Sequence, residues 1–195
     1  DVQDRLLSFG ESSFTYEATG EVASRTDGTG VTTCSYDETG QLLSVTLPDD
    51  TLIEYVIDGF NRRVGRKVDG TITHGWLYRD DLNPLAEINA DGTIRSRFVY
   101  AHRSNVPSHM VRDSVTYRLV CDPVGSPRLV VNAATGEVVQ RMDYGPFGEV
   151  LLDTNPGFQP FGFAGGLYDP ATGLVRLGAR DYDASTGRFT ARDPM

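Results

Sequence analysis

A short unit built on a tyrosine, an acidic residue and a glycine recurs along the first half of the chain. Its two clearest copies are Tyr16-Glu17-Ala18-Thr19-Gly20 and Tyr36-Asp37-Glu38-Thr39-Gly40. A third copy, aligned on its tyrosine, follows at 54–62, and looser copies surround Tyr78 and Tyr100. Because a unit of about 20 residues is too short to bury its own apolar face, neighbouring units must stack on one another. The repeat therefore predicts one continuous array.

Each unit contains segments in which β-branched and aromatic residues alternate with polar residues. The clearest of them are 51–57, 71–78 and 93–100, which we predict to be strands. Asp69-Gly70 and Asp91-Gly92 precede two of these strands, and glycine supplies the positive φ of a tight hairpin turn. A unit of this length has room for two short strands and two turns. The sequence predicts an all-β fold, a meander of antiparallel hairpins with almost no helix.

The pattern changes at about residue 120. Turns rich in proline and glycine at 120–127 and 144–149 lead into strand-like segments, and 156–168 is rich in glycine and aromatic residues. We expect that last segment to pack as an ordered loop. We accordingly divide the chain into a repeat array at 1–119 and a second region at 120–195.

The charge balance limits the possible partners. The chain has 18 Lys and Arg against 27 Asp and Glu, which gives a formal net charge of -9. This acidity opposes non-specific binding to nucleic acid or to an anionic membrane. No run of about 18 apolar residues is present, so we predict no membrane span, and the first residues have no signal-peptide pattern.

The spacing of the cysteines and histidines does not indicate a metal site. Cys34 and Cys121 are far apart, which leaves a buried thiol and a disulfide bridge as open alternatives. The histidines do not show the paired spacing of a metal site. We expect neither a metal nor a cofactor.

Three motifs near the C-terminus are more specific than the repeat. They are Asp-Tyr-Gly-Pro-Phe-Gly-Glu at 143–149, Arg-Leu-Gly-Ala-Arg-Asp-Tyr-Asp at 176–183 and Thr-Gly-Arg-Phe-Thr-Ala-Arg-Asp-Pro at 186–194. Together with the tyrosine units, these motifs resemble the RHS, or YD-repeat, proteins and their RHS-associated core. This family is similar to bacterial toxin carriers, namely Tc toxin C components and type VI secretion effectors, and to eukaryotic teneurins.

The resemblance implies both an architecture and a role. Repeats of this family wind into a curved or spiral β-shell that encloses a toxic C-terminal domain. The chain would then be a structural carrier fragment whose partners are other fragments of the same shell and the enclosed toxin. Secretion-system spike or adaptor proteins would be further partners, and the protein would be secreted by a specialised route and used in bacterial competition. Nucleic acid is not an expected partner.

An alternative function also follows from the resemblance. Proteins of this family are implied to cleave themselves by an aspartyl-protease-like reaction, in which two carboxyl groups activate water. Asp193 and the adjacent Arg192 match the first catalytic aspartate of the family and its arginine. The second aspartate is expected beyond Met195, so 120–195 would be a core truncated before the end of the autoprotease segment. The chain would then be an incomplete autoprotease that releases the toxin when the downstream segment is present.

A third alternative is an adhesive or carbohydrate-binding β module. Trp76 and the aromatic residues at 158–163 would be its contacts.

A last expectation concerns the first repeats, because 8–14 contains two phenylalanines and neither proline nor lysine to protect a sheet edge. We predict that the chain is stable only within an assembly.

Overall fold

The structure is a computed structural model that describes residues 5–193. Within this range, 19 strands form two antiparallel sheets, and the helical content is one three-residue 3-10 helix at Phe163–Gly165. The strands of the first sheet are β1 (Ser8–Phe9), β2 (Ser12–Tyr16), β3 (Val22–Asp27), β4 (Gly30–Tyr36), β5 (Leu42–Thr46), β6 (Leu52–Ile57), β7 (Arg63–Val68), β8 (Thr71–Tyr78), β9 (Pro84–Asn89), β10 (Ile94–Val99), β11 (His109–Arg112), β12 (Val115–Cys121), β13 (Pro127–Asn132), β14 (Val138–Tyr144) and β15 (Val150–Asp153). The strands of the second sheet are β16 (Leu167–Asp169), β17 (Leu174–Leu177), β18 (Arg180–Asp183) and β19 (Arg188–Phe189).

The first sheet is an uninterrupted meander in which each strand pairs with the next one along the chain, from β1 to β15. The predicted all-β, antiparallel fold is confirmed, and the three predicted strands are β6, β8 and β10. The domain boundary that we place between residues 119 and 120 falls inside β12. That boundary stays a prediction.

The acidic residue of the repeat closes its turn. Asp37 Oδ1 accepts hydrogen bonds from the backbone N–H groups of Thr39 and Gln41 at 2.8 and 2.9 Å. Asp58 and Asp122 accept equivalent backbone hydrogen bonds in their own turns. The third residue after each of these acids has a positive φ, which explains why glycine or asparagine occupies that position. The turn chemistry thus sets the spacing of the strands.

A β-bulge immediately precedes the turn and carries the tyrosine of the repeat. The strand register shifts at Tyr16, Tyr36 and Tyr78. In the third copy the shift falls at Ile57, two residues after Tyr55. Our alignment of that copy on its tyrosine is therefore wrong by two residues, because the turn after the bulge sets the register.

The second sheet packs against one face of the first sheet, which we call the covered face. One apolar cluster on this face joins strands β8 and β10 to β13 with β16 and the loop before it: Trp76, Phe98, Met110, Leu119, Val130, Phe161 and Leu167. A second cluster joins β5 and β6 with β17: Leu42, Val45, Ile53, Tyr55 and Leu174. Burial of each large apolar side chain contributes about 1.5–3 kcal/mol. The segment 156–168 therefore packs as an ordered loop, as predicted.

Candidate functional site

A buried cluster of charged residues joins the second sheet to the covered face. At its centre, the Asp181 carboxylate accepts a hydrogen bond from Arg63 at 2.7 Å and another from Arg176 at 2.9 Å. Arg176 also donates to the backbone carbonyl of Asn61 at 2.9 Å and to the side-chain oxygen of Gln41. All four of the side chains involved are buried. One carboxylate therefore holds two guanidinium groups that come from different sheets.

A second carboxylate of the cluster forms the neighbouring contact. Arg66 donates two hydrogen bonds to Asp169, at 2.7 and 3.1 Å, in a bidentate arrangement. The Tyr55 hydroxyl donates to the same carboxylate at 2.9 Å, and the Arg63 guanidinium lies 3.4 Å from the centre of the Tyr55 ring. We call the group of Arg63, Arg66, Asp169, Arg176 and Asp181 the ionic junction.

The environment keeps the Asp169 carboxylate charged. Burial opposes the charged form, but the hydrogen bond and the positive charge of Arg66 outweigh it, so the pKa of Asp169 is lower than usual. A carboxyl whose folded-state pKa is depressed stabilises the fold above its unfolded pKa of about 3.9. That contribution is lost as the pH falls through the folded-state pKa.

The ionic junction specifies position more than it adds stability. Two buried charges lose hydration, and their attraction approximately offsets that loss when the geometry is good. Removal of one partner is costly, because the other charge then stays buried and uncompensated. The arrangement therefore fixes where β16, β17 and β18 dock on the covered face.

Asp193 and Arg192 lie outside this junction, at the end of the described chain. The Asp193 side chain is 77% exposed, and its carboxylate lies 3.4 Å from the Arg180 guanidinium. Arg192 packs against Gly20 in the first turn, where an added Cβ would lie 2.7 Å from Arg192 Nε. Arg192 thus lies next to the first repeat, and Asp193 lies next to β18. Their catalytic role stays a prediction.

The structure also locates the cysteines and the aromatic residues that the sequence singles out. Cys34 and Cys121 are free thiols, and burial raises the pKa of each to about 11. Trp76 and Phe161 are buried, whereas Phe158 and Phe163 are half-buried. The carbohydrate-binding alternative stays a prediction. Over residues 5–193 the structure contains no cluster of three metal-ligating side chains and no helix able to cross a membrane.

The ionic junction was not among the sequence predictions. Arg63 and Asp181 are 118 residues apart, and nothing local distinguishes Arg63 from the many exposed arginines. One signal was available. Arg176 and Asp181 both belong to the motif at 176–183 and face each other directly in the β17–β18 hairpin. Opposite charges across a predicted hairpin indicate a cross-strand pair.

Comparison with known proteins places this architecture in a family. A family model described as the teneurin YD-shell matches residues 1–195. Teneurin-4 of Homo sapiens is 30% identical over 198 residues, which cover 99% of this chain and 7% of the relative. Teneurin-1 of Gallus gallus is 32% identical over 204 residues, which cover 97% of this chain and 7% of the relative. The chain thus spans a small part of these relatives.

A solved structure shares the fold. The Tc holotoxin pore of Photorhabdus luminescens, with a substitution in its TccC3 component, aligns with a TM-score of 0.59 at 14% identity. The alignment covers 94% of this chain and 12% of that one. The predicted RHS/YD-repeat shell architecture is therefore confirmed. The chain belongs to the teneurin YD-shell family, and it is a structural fragment of a YD-repeat β-shell.

Proposed function

We propose that this chain is a wall segment of a closed carrier shell that encloses a polypeptide domain. The observation that carries the proposal is the uninterrupted first sheet, in which 15 strands follow one another without a crossover. Such a sheet twists with a fixed hand and extends by adding hairpins, so it is suited to enclosing a volume. The ionic junction supports this role, because it holds the C-terminal sheet on one face of the wall.

The nature of the cargo is part of the proposal. The similarity to a Tc holotoxin pore supports a toxic domain as cargo and delivery outside the producing cell. The teneurin relatives are animal proteins, so they support the shell but not a bacterial route. Type VI secretion, with spike or adaptor partners and a role in bacterial competition, rests on the resemblance of the sequence motifs.

As a second candidate function, we propose that Asp193 and Arg192 form one half of an aspartyl autoprotease site, which we call the half-site. Its support is the exposure of Asp193, whose carboxylate is accessible to a second carboxyl group from a downstream segment. The Arg180 guanidinium, 3.4 Å from the Asp193 carboxylate, would orient that carboxylate as one member of an aspartyl pair.

Protection of the cargo tests the carrier function. The full-length protein, with its downstream domain, is treated with a protease and compared with the downstream domain alone. We expect the enclosed domain to survive protease concentrations that digest the free domain. Asp181→Asn should loosen the wall and expose the cargo, whereas Asp113→Asn, on an exposed turn, should not. Equal digestion of the free and the shell-borne domain would exclude the carrier function.

A further inference from the structure

A cavity of about 180 Å³ lies between the covered face and the loop that precedes β16. Trp76, Glu87 and Arg63 line it from the first sheet, and Gln159 and Tyr168 line it from the other side. The cavity is smaller than the ~300 Å³ lower limit of pockets for drug-sized molecules. It therefore suits an occupant of about one small ring.

Three side chains that line the cavity have polar atoms without a hydrogen-bond partner among the described residues. These atoms are Trp76 Nε1, Glu87 Oε2 and Arg63 Nε, on residues that are 5%, 4% and 1% exposed. A buried polar atom that lacks a partner destabilises a protein by about 1–3 kcal/mol. Buried polar groups in folded proteins are nearly always satisfied by protein, water or ligand, so three such atoms around one cavity indicate that a polar molecule or ordered water occupies it.

The donor and the acceptor are close together by strand register. Trp76 on β8 and Glu87 on β9 are direct cross-strand partners, and Ser96 on β10 is the next residue in the same row. The Ser96 hydroxyl is also buried and has no partner in the described part of the chain. An N–H donor, a carboxylate acceptor and a hydroxyl group thus follow one another across three adjacent strands.

The charges that line the cavity balance. Its wall contains three guanidinium groups and three carboxyl groups: Arg63, Arg66, Arg95, Glu87, Asp153 and Asp169. His74 adds no charge at neutral pH, because burial and the nearby Arg66 lower its pKa to about 4. A cation or an anion would lose its hydration without a net opposite charge to compensate. The lining thus favours a neutral, polar occupant.

We propose that this cavity binds a small neutral polyhydroxylated molecule, such as a single sugar ring. One hydroxyl oxygen of the ligand accepts a hydrogen bond from Trp76 Nε1–H, and a neighbouring hydroxyl donates to Glu87 Oε2. A hydroxyl group both donates and accepts, so adjacent hydroxyls satisfy both atoms without a charged group. The apolar parts of Tyr55 and Tyr168 line the same cavity and would contact the ring carbons.

Three ligands with one ring and different charges test the proposal. D-glucose is neutral, D-glucosamine carries a positive charge at neutral pH, and D-glucuronate carries a negative charge. Each is titrated against the purified protein, in the oligomeric state in which it is folded, by calorimetry or saturation-transfer NMR. We expect saturable binding that is tightest for glucose.

The variants identify the site of binding. Glu87→Gln replaces a charged acceptor by a neutral one of the same shape and should weaken glucose binding about tenfold. Trp76→Phe removes the N–H donor and should weaken it by a similar factor. Glu54→Gln is the matched control, because Glu54 does not line the cavity. Its carboxylate Oε1 lies 4.0 Å from Lys67 Nζ, in a partly exposed ion pair. Melting temperatures establish that each variant is folded.

Several outcomes would overturn the proposal. Binding that is unchanged in Glu87→Gln and Trp76→Phe would place the ligand elsewhere, and tighter binding of glucosamine would contradict a neutral ligand. If both variants fail to fold, crystals of the unmodified protein soaked in glucose decide the question. Ordered water alone between Trp76 Nε1 and Glu87 Oε2 would show that the cavity is only hydrated.

Discussion

At the scale of the residue, the tyrosine of the repeat connects one unit to the unit before it. The Tyr78 hydroxyl donates to the Arg63 carbonyl at 3.0 Å, and the Tyr100 hydroxyl donates to the Pro84 carbonyl at 2.9 Å. The rings of both tyrosines pack against the first apolar cluster. Tyrosine suits this position because it combines a large apolar ring with a polar tip.

Removal of one such hydroxyl should weaken the contact between units. We expect Tyr78→Phe to lower the free energy of unfolding by about 0.5–1.5 kcal/mol, the net contribution of a typical hydrogen bond. Urea denaturation measures the change. Tyr182→Phe, which removes an exposed hydroxyl bonded to the Phe147 carbonyl, is the control and should have a smaller effect. Equal effects of the two variants would contradict the connecting role of Tyr78.

His74 should make stability depend on pH. Burial, with the positive charge of Arg66, lowers its pKa to about 4, so the folded state prefers the neutral ring. In the unfolded chain the ring binds a proton below about pH 6.5, which favours unfolding. This stabilising contribution is present above about pH 6.5 and is lost as the pH falls from there to about 4.

A variant without a titrating ring isolates this effect. Between pH 7 and pH 4.5, we expect His74→Gln to lose roughly 1–2 kcal/mol less of its free energy of unfolding than the unmodified protein, after allowance for the exposed part of the ring. The measurement is urea denaturation at a series of pH values, with His102→Gln, on the exposed loop, as the control. Parallel pH profiles for all three proteins would contradict the pKa shift of His74.

At the scale of the element, the ionic junction determines how the second sheet docks. Asp181→Asn preserves the shape of the side chain but leaves the buried charges of Arg63 and Arg176 uncompensated. We expect a loss of about 3–5 kcal/mol in the free energy of unfolding. Asp113→Asn makes the same chemical change on a side chain that is 89% exposed and should cause almost no loss. Similar unfolding midpoints for the two variants would rule out this role.

The C-terminal segment carries the predicted half-site. The proposed reaction needs two carboxyl groups, so we expect Asp193 to support self-cleavage only together with a second carboxyl group from a downstream segment. With the downstream segment restored, we expect cleavage that Asp193→Asn abolishes, as judged by mass spectrometry. Asp113→Asn is again the matched control. Cleavage that persists in Asp193→Asn would remove Asp193 from the reaction.

The strands were predictable because their signals are local. Alternation and the turns at Asp69-Gly70 and Asp91-Gly92 are contained within a few residues, and each led to the correct hairpin. The register of the third repeat was missed because the bulge at Ile57 carries no tyrosine. The ionic junction was missed for a different reason, since the pairing of Arg63 with Asp181 depends on the docking of two sheets.

At the scale of the whole molecule, the two ends of the described chain meet. The backbone N–H of Val22 donates to the Thr190 carbonyl at 2.8 Å, so the segment after β19 is hydrogen-bonded to the first repeats. The outer edges of the first sheet, β1 and β15, have no further strand partner within residues 5–193. Phe9 and Leu151 on these edge strands are exposed. Unpaired edges of this kind can pair with any available strand.

The central claim is that the chain is one segment of a larger wall, and sedimentation velocity at micromolar concentration tests it most directly. A wall segment has edges that continue into further strands, so the isolated chain should sediment as an edge-paired oligomer. Co-expression with the preceding fragment of its own shell should convert it into a defined complex. A compact 21.4 kDa monomer with a cooperative unfolding transition would show that the sheet closes on itself. That result would contradict the shell account for this chain.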